Sequence, residues 1–162
     1  MNTEIEIPEE LRELLHRKAR NLGKTIPELI LELVTDVTNS ETRIRIYEKL
    51  HEKYMKEAED FYKKGDLIQA SEKYWGTVTT LLSIIGELEE LPHYKHIHFN
   101  EIISHVTEKT GDRELPRLFA SAERLHANYH HGFLKKIEFE VHREDVLKLV
   151  QKLKNYISKV RT

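Results

Sequence analysis

The sequence contains no cysteine, only 6 glycines and only 4 prolines among its 162 residues. Without cysteine, the chain can form no disulfide, thiolate zinc site, iron–sulfur cluster or cysteine nucleophile. So few turn-forming residues do not suit a protein built from many short strands. These absences predict an all-α protein of one domain, with at most a small appendage.

Long apolar runs are also absent. The longest nearly apolar stretch, residues 78–86, is far shorter than the roughly 20 residues that span a bilayer. The first ten residues show no signal-peptide pattern, so we expect a soluble, cytoplasmic protein without a membrane segment. Only two glutamines (Gln69 and Gln151) accompany abundant glutamate and lysine, a bias typical of heat-adapted, thermophile proteins.

Residues 1–37 are predicted to form a strand followed by two helices. Within residues 3–7, Ile5 and Ile7 alternate with glutamates, which is the two-residue period of a short strand. A first helix follows Pro8 and is expected to stop at a glycine, and a Thr-Ile-Pro-Glu capping box opens the second helix.

This order of elements is similar to that of ribbon–helix–helix DNA-binding dimers, whose paired strands read the major groove. In that arrangement the side chains that face the DNA would be Glu4 and Glu6. DNA phosphates repel these carboxylates, and among the base edges only the cytosine amino group could donate a hydrogen bond to them. DNA reading by this unit is therefore not expected. Pairing of the strand with a second copy is the alternative, because a lone strand exposes unpaired backbone groups.

Residues 38–162 are predicted to form a bundle of four or five helices with short links. Two glycines are singled out: Gly76 as a point where another backbone approaches closely, and Gly86 as a helix stop. The apolar periodicity predicts helices over residues 38–63, 66–85, 100–110, 112–131 and 142–160, with the intervening segments as loops.

One of these helices carries most of the candidate chemistry. At 100° per residue, Asn128 and His131 each fall within about 40° of Arg124 around the helix. His130 follows Arg124 after five intervening residues. An arginine that stabilises a phosphate and a histidine that moves a proton are the minimum for metal-free RNA cleavage. The structural alternative is that Arg124 pairs with an acid, His126 is a satisfied core residue and the last two histidines are solvated.

Two further groups are candidates for binding. His93, His96 and His98 lie in one short segment, within which His96 and His98 are the better zinc candidates. The alternative is that all three are ordinary loop histidines, and no cofactor is expected. On the last helix a basic ridge opposite the apolar face could meet phosphates or an acidic partner, or could be a solvated face that complements the helix dipole. Its members are Lys148, Lys152 and Lys159, and Asn128 on the preceding helix is a further candidate for contact with a nucleic acid or another partner.

Two segments carry a resemblance to a known family: GDLIQASEKYWG at residues 65–76 and SAERLHANYHHGF at residues 121–133. With the N-terminal helices, they resemble the archaeal PaREP-type family, which is similar to the HEPN superfamily of helical bundles. The resemblance implies an up-and-down bundle that often dimerises. Some HEPN members are metal-independent ribonucleases with an Arg-x(4–6)-His motif at the dimer interface, and others are catalytically silent partners of other proteins.

Transferred by position, the arginine of that motif is Arg124 and the histidine is His130, or His131 at the outer limit of the spacing. Active members usually place a polar residue directly after the arginine, whereas this chain has Leu125. The leading interpretation is therefore a non-catalytic HEPN-like homodimer that binds a protein or nucleic-acid partner. A metal-independent ribonuclease, toxin-like in its chemistry, is the runner-up.

A third interpretation is a tetratricopeptide-like peptide binder. Residues 57–82 have the alanine, Gly-Asp and aromatic spacing of one such repeat. A solenoid needs about three stacked repeats. The position 34 residues after Ala58 is Pro92 rather than a small residue, which argues against a second repeat.

Overall fold

A computed structural model of the chain describes residues 3–162, and every regular element in that range is helical. A 3₁₀ turn at Thr35–Val37 follows the second helix. The α-helices are α1 (Glu9–Leu22), α2 (Ile26–Leu33), α3 (Ser40–Lys63), α4 (Leu67–Glu89), α5 (His96–Thr110), α6 (Glu114–His131) and α7 (Lys136–Arg161). The predicted all-α class is confirmed.

Several helix ends form where local chemistry predicts them. Thr25 and Glu28 make the expected capping box at the start of α2, and Asp66 accepts a hydrogen bond from Gln69 N at the start of α4. Gly23, Gly111 and Gly132 follow α1, α5 and α6 in the left-handed conformation that glycine adopts without steric cost.

Helix α4 is the centre of the molecule. Sixteen of its 23 residues are buried, because α3, α5, α6 and α7 all pack against it. A helix enclosed in this way can be apolar on every side, which matches its sequence. Trp75 and Tyr74 are among the largest fully buried side chains of the core. Since four helices enclose α4, the α3–α4 pair does not form the open stack of a tetratricopeptide repeat.

The strand predicted for residues 3–7 is wrong: residues 3–8 have no regular secondary structure. A strand needs a neighbour to satisfy its backbone groups, and residues 3–162 provide none. The predicted unit also includes residues 1–2, which lie outside the described residues. The boundary after residue 37 stays a prediction, although Leu31 of α2 belongs to the same buried cluster as the bundle.

Three predicted boundaries also differ from the structure. Gly86 does not stop α4, which continues to Glu89 and ends at Glu90 with a φ of 55°. Helix α5 begins at His96 rather than at residue 100, and α7 begins at Lys136 rather than at residue 142. Buried contacts account for the extensions, since Phe99 and Phe139 are both enclosed in the core.

The close approach predicted at Gly76 occurs, but its partner is a side chain and not a backbone. A Cβ atom at Gly76 would lie 2.9 Å from Cδ2 of Tyr54 on α3, so the absence of a side chain lets the two helices pack together. None of the helices within residues 3–162 is long and apolar enough to cross a membrane.

Candidate functional site

A cleft of about 280 Å³ opens where five elements meet. The end of α1, the turn into α2, and parts of α3, α4 and α6 form its walls. Its lining is rich in groups that carry or transfer charge, among them His16, Arg20, Glu72, Lys73, His126 and His130.

An aromatic cluster lies beside this cleft. The imidazoles of His96 and His126 both stack on the indole of Trp75, with ring centroids 5.1 Å and 4.7 Å away. His130 meets His126 edge to face at 4.8 Å. Four rings from α4, α5 and α6 are thus brought together, a grouping that no single sequence segment reveals.

Carboxylates hold two of these rings in place. His126 Nδ1 lies 3.2 Å from Oε2 of Glu72, and His96 Nε2 lies 2.8 Å from Oε1 of Glu123. A carboxylate beside one ring nitrogen fixes the orientation and tautomer of an imidazole. His130 has no such carboxylate contact within residues 3–162.

The histidines singled out as zinc candidates do not converge. His96 faces Glu123, whereas the Nδ1 atom of His98 accepts hydrogen bonds from the backbone N–H groups of Tyr94 and Lys95. His93 is buried, with Nδ1 2.9 Å from the carbonyl of Leu91. Within residues 3–162 no three metal-ligating side chains are grouped closely enough to hold a metal ion.

Arg124 and His130 lie on different sides of α6. The guanidinium of Arg124 stacks 4.3 Å from the ring centre of Phe133, whereas His130 lines the cleft beside His126. Six residues on a helix rotate a side chain by about 120°, so the two groups do not meet within one chain. His131 is exposed, with its ring 6.3 Å from that of His130.

Asn128, predicted to contact a partner, is fully buried instead. Its Nδ2 donates to Oγ of Ser71 at 2.9 Å, and its Oδ1 accepts from the backbone N–H of Leu134 at 2.8 Å. These two bonds tie the α6–α7 turn to α4. The side chain is therefore a structural clamp and presents no surface to a partner.

The basic ridge of α7 has acidic neighbours that its own helix does not show. Lys148 Nζ lies 2.7 Å from Glu114, the first residue of α6, and Lys152 Nζ lies 2.6 Å from Asp112, just before that helix. The hydrogen bond from Lys152 lowers the pKa of Asp112 below its ordinary value. Lys159 is exposed near the C-terminus. The ridge is therefore largely compensated by α6, a pairing that only the packing of the two helices reveals.

A buried arginine–glutamate pair also escaped the sequence analysis. Arg43 on α3 makes two hydrogen bonds to Glu87 on α4, at 2.8 Å and 2.9 Å, and Ser40 donates a third. Burial favours a higher pKa for Glu87, but the hydrogen bonds from Arg43 and Ser40 outweigh it and lower the pKa. The residues are 44 positions apart in the chain, so local patterns carry no signal for this contact.

A second surface feature lies in the N-terminal segment, on the first two helices and the residues that flank them. Thirteen large hydrophobic side chains are exposed within residues 3–162, and eight of them lie within residues 5–37. Helix α1 buries only Ala19. We call the eight residues the N-terminal apolar face: Ile5, Ile7, Leu11, Leu14, Ile30, Leu33, Val34 and Val37.

Comparison with known proteins identifies one family. The family model described as the archaeal PaREP1/PaREP8 family matches residues 46–150, which include all of α4, α5 and α6. No curated protein and no solved structure matches the chain. The match includes the parts of α3, α4 and α6 that line the cleft, which are half of its lining residues, and leaves out the α1 and α2 walls and the N-terminal apolar face.

Proposed function

The chain belongs to the archaeal PaREP1/PaREP8 family, and we propose that it is a non-catalytic, HEPN-like interaction module that works as a homodimer. The N-terminal apolar face is the observation that supports this proposal. Eight of the thirteen exposed large hydrophobic side chains lie in this one segment, and concentrated exposed apolar surface marks interaction sites. Leu14 and Leu33 are 54% and 59% exposed, so most of their surface remains for a partner to cover.

A second copy of the chain is the occupant that fits this face. Residues 3–7 lack regular structure and have no pairing strand within residues 3–162, yet their sequence alternates as a strand does. Antiparallel pairing about a two-fold axis would satisfy their backbone groups in both copies at once. With the pairing centred on Ile5, the isoleucines join the apolar residues of α1 and α2.

The size of the face is sufficient for association. Eight large side chains per copy, each about half-exposed, contribute about 1 kcal/mol each on burial, or about 16 kcal/mol for two copies. Association costs about 4–15 kcal/mol in lost freedom. The surplus is about 1–12 kcal/mol, and a micromolar dissociation constant needs about 8 kcal/mol of it.

Sedimentation equilibrium of the full chain tests this proposal. We expect a mass of twice 19.2 kDa for the natural sequence and 19.2 kDa for the double variant Leu14→Glu/Leu33→Glu. Val141→Glu is the matched control, because Val141 is 55% exposed on α7, away from the face. A natural chain that stays monomeric at high micromolar concentration, or a control that dissociates as completely as the double variant, would contradict the proposal.

We place the non-catalytic function ahead of the metal-independent ribonuclease because of where the motif residues lie. Arg124 stacks on Phe133, and His130 lies in the cleft on another side of α6. Incubation of RNA with the protein in the presence of a chelator should give no cleavage. Cleavage that disappears in Arg124→Ala would reverse this ranking in favour of the enzyme.

A further inference from the structure

We propose that the cleft between α1, α4 and α6 is a binding site for a small phosphorylated molecule, which Arg20 and His130 would hold. The inference is independent of the proposed dimer, since one chain supplies all the groups involved.

The residues that line the cleft include more basic than acidic side chains, unlike the chain as a whole. The formal net charge of the protein is −2. The cleft lining nevertheless contains four permanently basic side chains and only one acid, Glu72. A concave surface of one sign raises the local concentration of the opposite ion. The four basic residues are Arg20, Lys24, Lys53 and Lys73.

Two of the cleft donors have no intramolecular acceptor. The Arg20 side chain makes no hydrogen bond or ion pair with any residue in the range 3–162. Over the same range, the His130 ring makes no hydrogen bond or ion pair, and its aromatic neighbours are His126, Tyr129 and His131. A guanidinium fork and an imidazole are the groups that bind a phosphate through charge-assisted hydrogen bonds.

The lysines of the cleft form ion pairs with glutamates, which leaves Arg20 and His130 as the donors for a ligand. Lys24 forms an ion pair with Glu32 and lies over the ring of Tyr94. The Nζ atoms of Lys73 and Lys53 lie 2.6 Å and 3.9 Å from the two carboxylate oxygens of Glu57. Since glutamates pair with these lysines, Arg20 and His130 are the cleft groups whose hydrogen-bond donors remain for a ligand.

The dimensions of the cleft set the class of ligand. Its volume of about 280 Å³ is at the lower end of ligand pockets, which run from about 300 to 1,000 Å³. A phosphate monoester the size of a mononucleotide is of this order. A folded polypeptide or a nucleic-acid duplex is far too large to enter.

The protonation of His130 fits the same ligand. Burial is the main cause that lowers the pKa of His130, and the neighbouring His126 is the next. His131 and Arg20 on α1 also lower this pKa, whereas Glu72 on α4 raises it. A bound phosphate dianion would favour the protonated ring. Binding should therefore raise the pKa of His130, which NMR of the imidazole protons reports directly.

The single tryptophan gives a convenient binding signal, because Trp75 stacks on His126 at the edge of the cleft. We would titrate the full chain with inorganic phosphate, AMP and adenosine and record Trp75 fluorescence. Arg20→Gln is the test variant. Arg17→Gln is its matched control, because Arg17 is an exposed arginine one turn earlier on α1 that does not line the cleft.

We expect saturable binding of phosphate and AMP, none of adenosine, and a loss of about tenfold or more in affinity in Arg20→Gln with no change in Arg17→Gln. A preference for AMP over phosphate would support the site and add contacts to the nucleoside. No binding at millimolar concentration, or equal weakening by both variants, would overturn it. Repeating the titration on the Leu14→Glu/Leu33→Glu variant separates failure of this site from failure of the dimer.

Discussion

Replacement of Gly86 by alanine should destabilise the protein, although alanine is the better helix former. Gly86 lies inside α4, where an exposed Gly→Ala change would stabilise by about 1 kcal/mol. Here, however, a Cβ atom would lie 2.5 Å from Nδ1 and 2.8 Å from Cγ of His93. Such distances are far below van der Waals contact, so the ring or the helix must move.

The magnitude follows from the surroundings of His93. Its ring is 4% exposed, and its Nδ1 lies 2.9 Å from the carbonyl of Leu91, so displacement breaks a buried hydrogen bond. Overpacking costs about 1–3 kcal/mol and the lost bond about 1 kcal/mol. After the propensity gain, we expect Gly86→Ala to lower the free energy of unfolding by about 1–3 kcal/mol.

Urea denaturation followed by far-UV circular dichroism measures this change. The double variant Gly86→Ala/His93→Ala provides the control, because removal of the ring removes the clash. In the His93→Ala background, Gly86→Ala should become neutral or stabilising, and the double-mutant cycle isolates the contact. Stabilisation by Gly86→Ala alone would refute the argument.

Two other predictions concern stability. Burial lowers the pKa of His51, whose Nδ1 lies 2.9 Å from the carbonyl of Thr77. The folded state therefore keeps His51 neutral while the unfolded state protonates it. The free energy of unfolding should fall as pH drops below about 6.5, by up to about 1.4 kcal/mol per pH unit. Denaturation at several pH values should show a weaker dependence of this free energy on pH in His51→Gln, and an equal dependence would contradict the assignment. Asn128→Ala removes two buried hydrogen bonds and should lower the free energy of unfolding by about 2–4 kcal/mol. Its control is Asn155→Ala on the exposed surface of α7, which should change this free energy by less than about 0.5 kcal/mol in the same urea denaturation.

Features determined by neighbouring residues could be predicted from the sequence. The capping box of Thr25 and Glu28 and the left-handed glycines after α1, α5 and α6 depend on a few consecutive residues, and they form where expected. Gly86 has the same local pattern as those glycines but lies within α4, because the His93 ring needs the space that a side chain would fill. Tertiary packing, and not local preference, decides that position.

The contents of the cleft were not predictable because they come from distant segments. The sequence pairs His130 with Arg124, its neighbour along the chain, but His130 lines the cleft with His126 and residues of α1. The sequence of α7 similarly shows a basic ridge but not Glu114 and Asp112, the acidic residues that lie beside it in the fold. Conversely, the period of residues 3–7 is that of a strand, but a strand cannot form without a partner to pair with.

The most direct test of the proposed dimer is a cross-link at its two-fold axis. Because the chain contains no cysteine, Ile5→Cys introduces a single thiol, and Val141→Cys gives a matched control at another exposed position. Antiparallel pairing centred on residue 5 places the two thiols within disulfide reach. Mild oxidation should convert Ile5→Cys largely into a covalent dimer and leave Val141→Cys monomeric on a non-reducing gel. Equal and slow cross-linking of the two variants would contradict the proposed dimer.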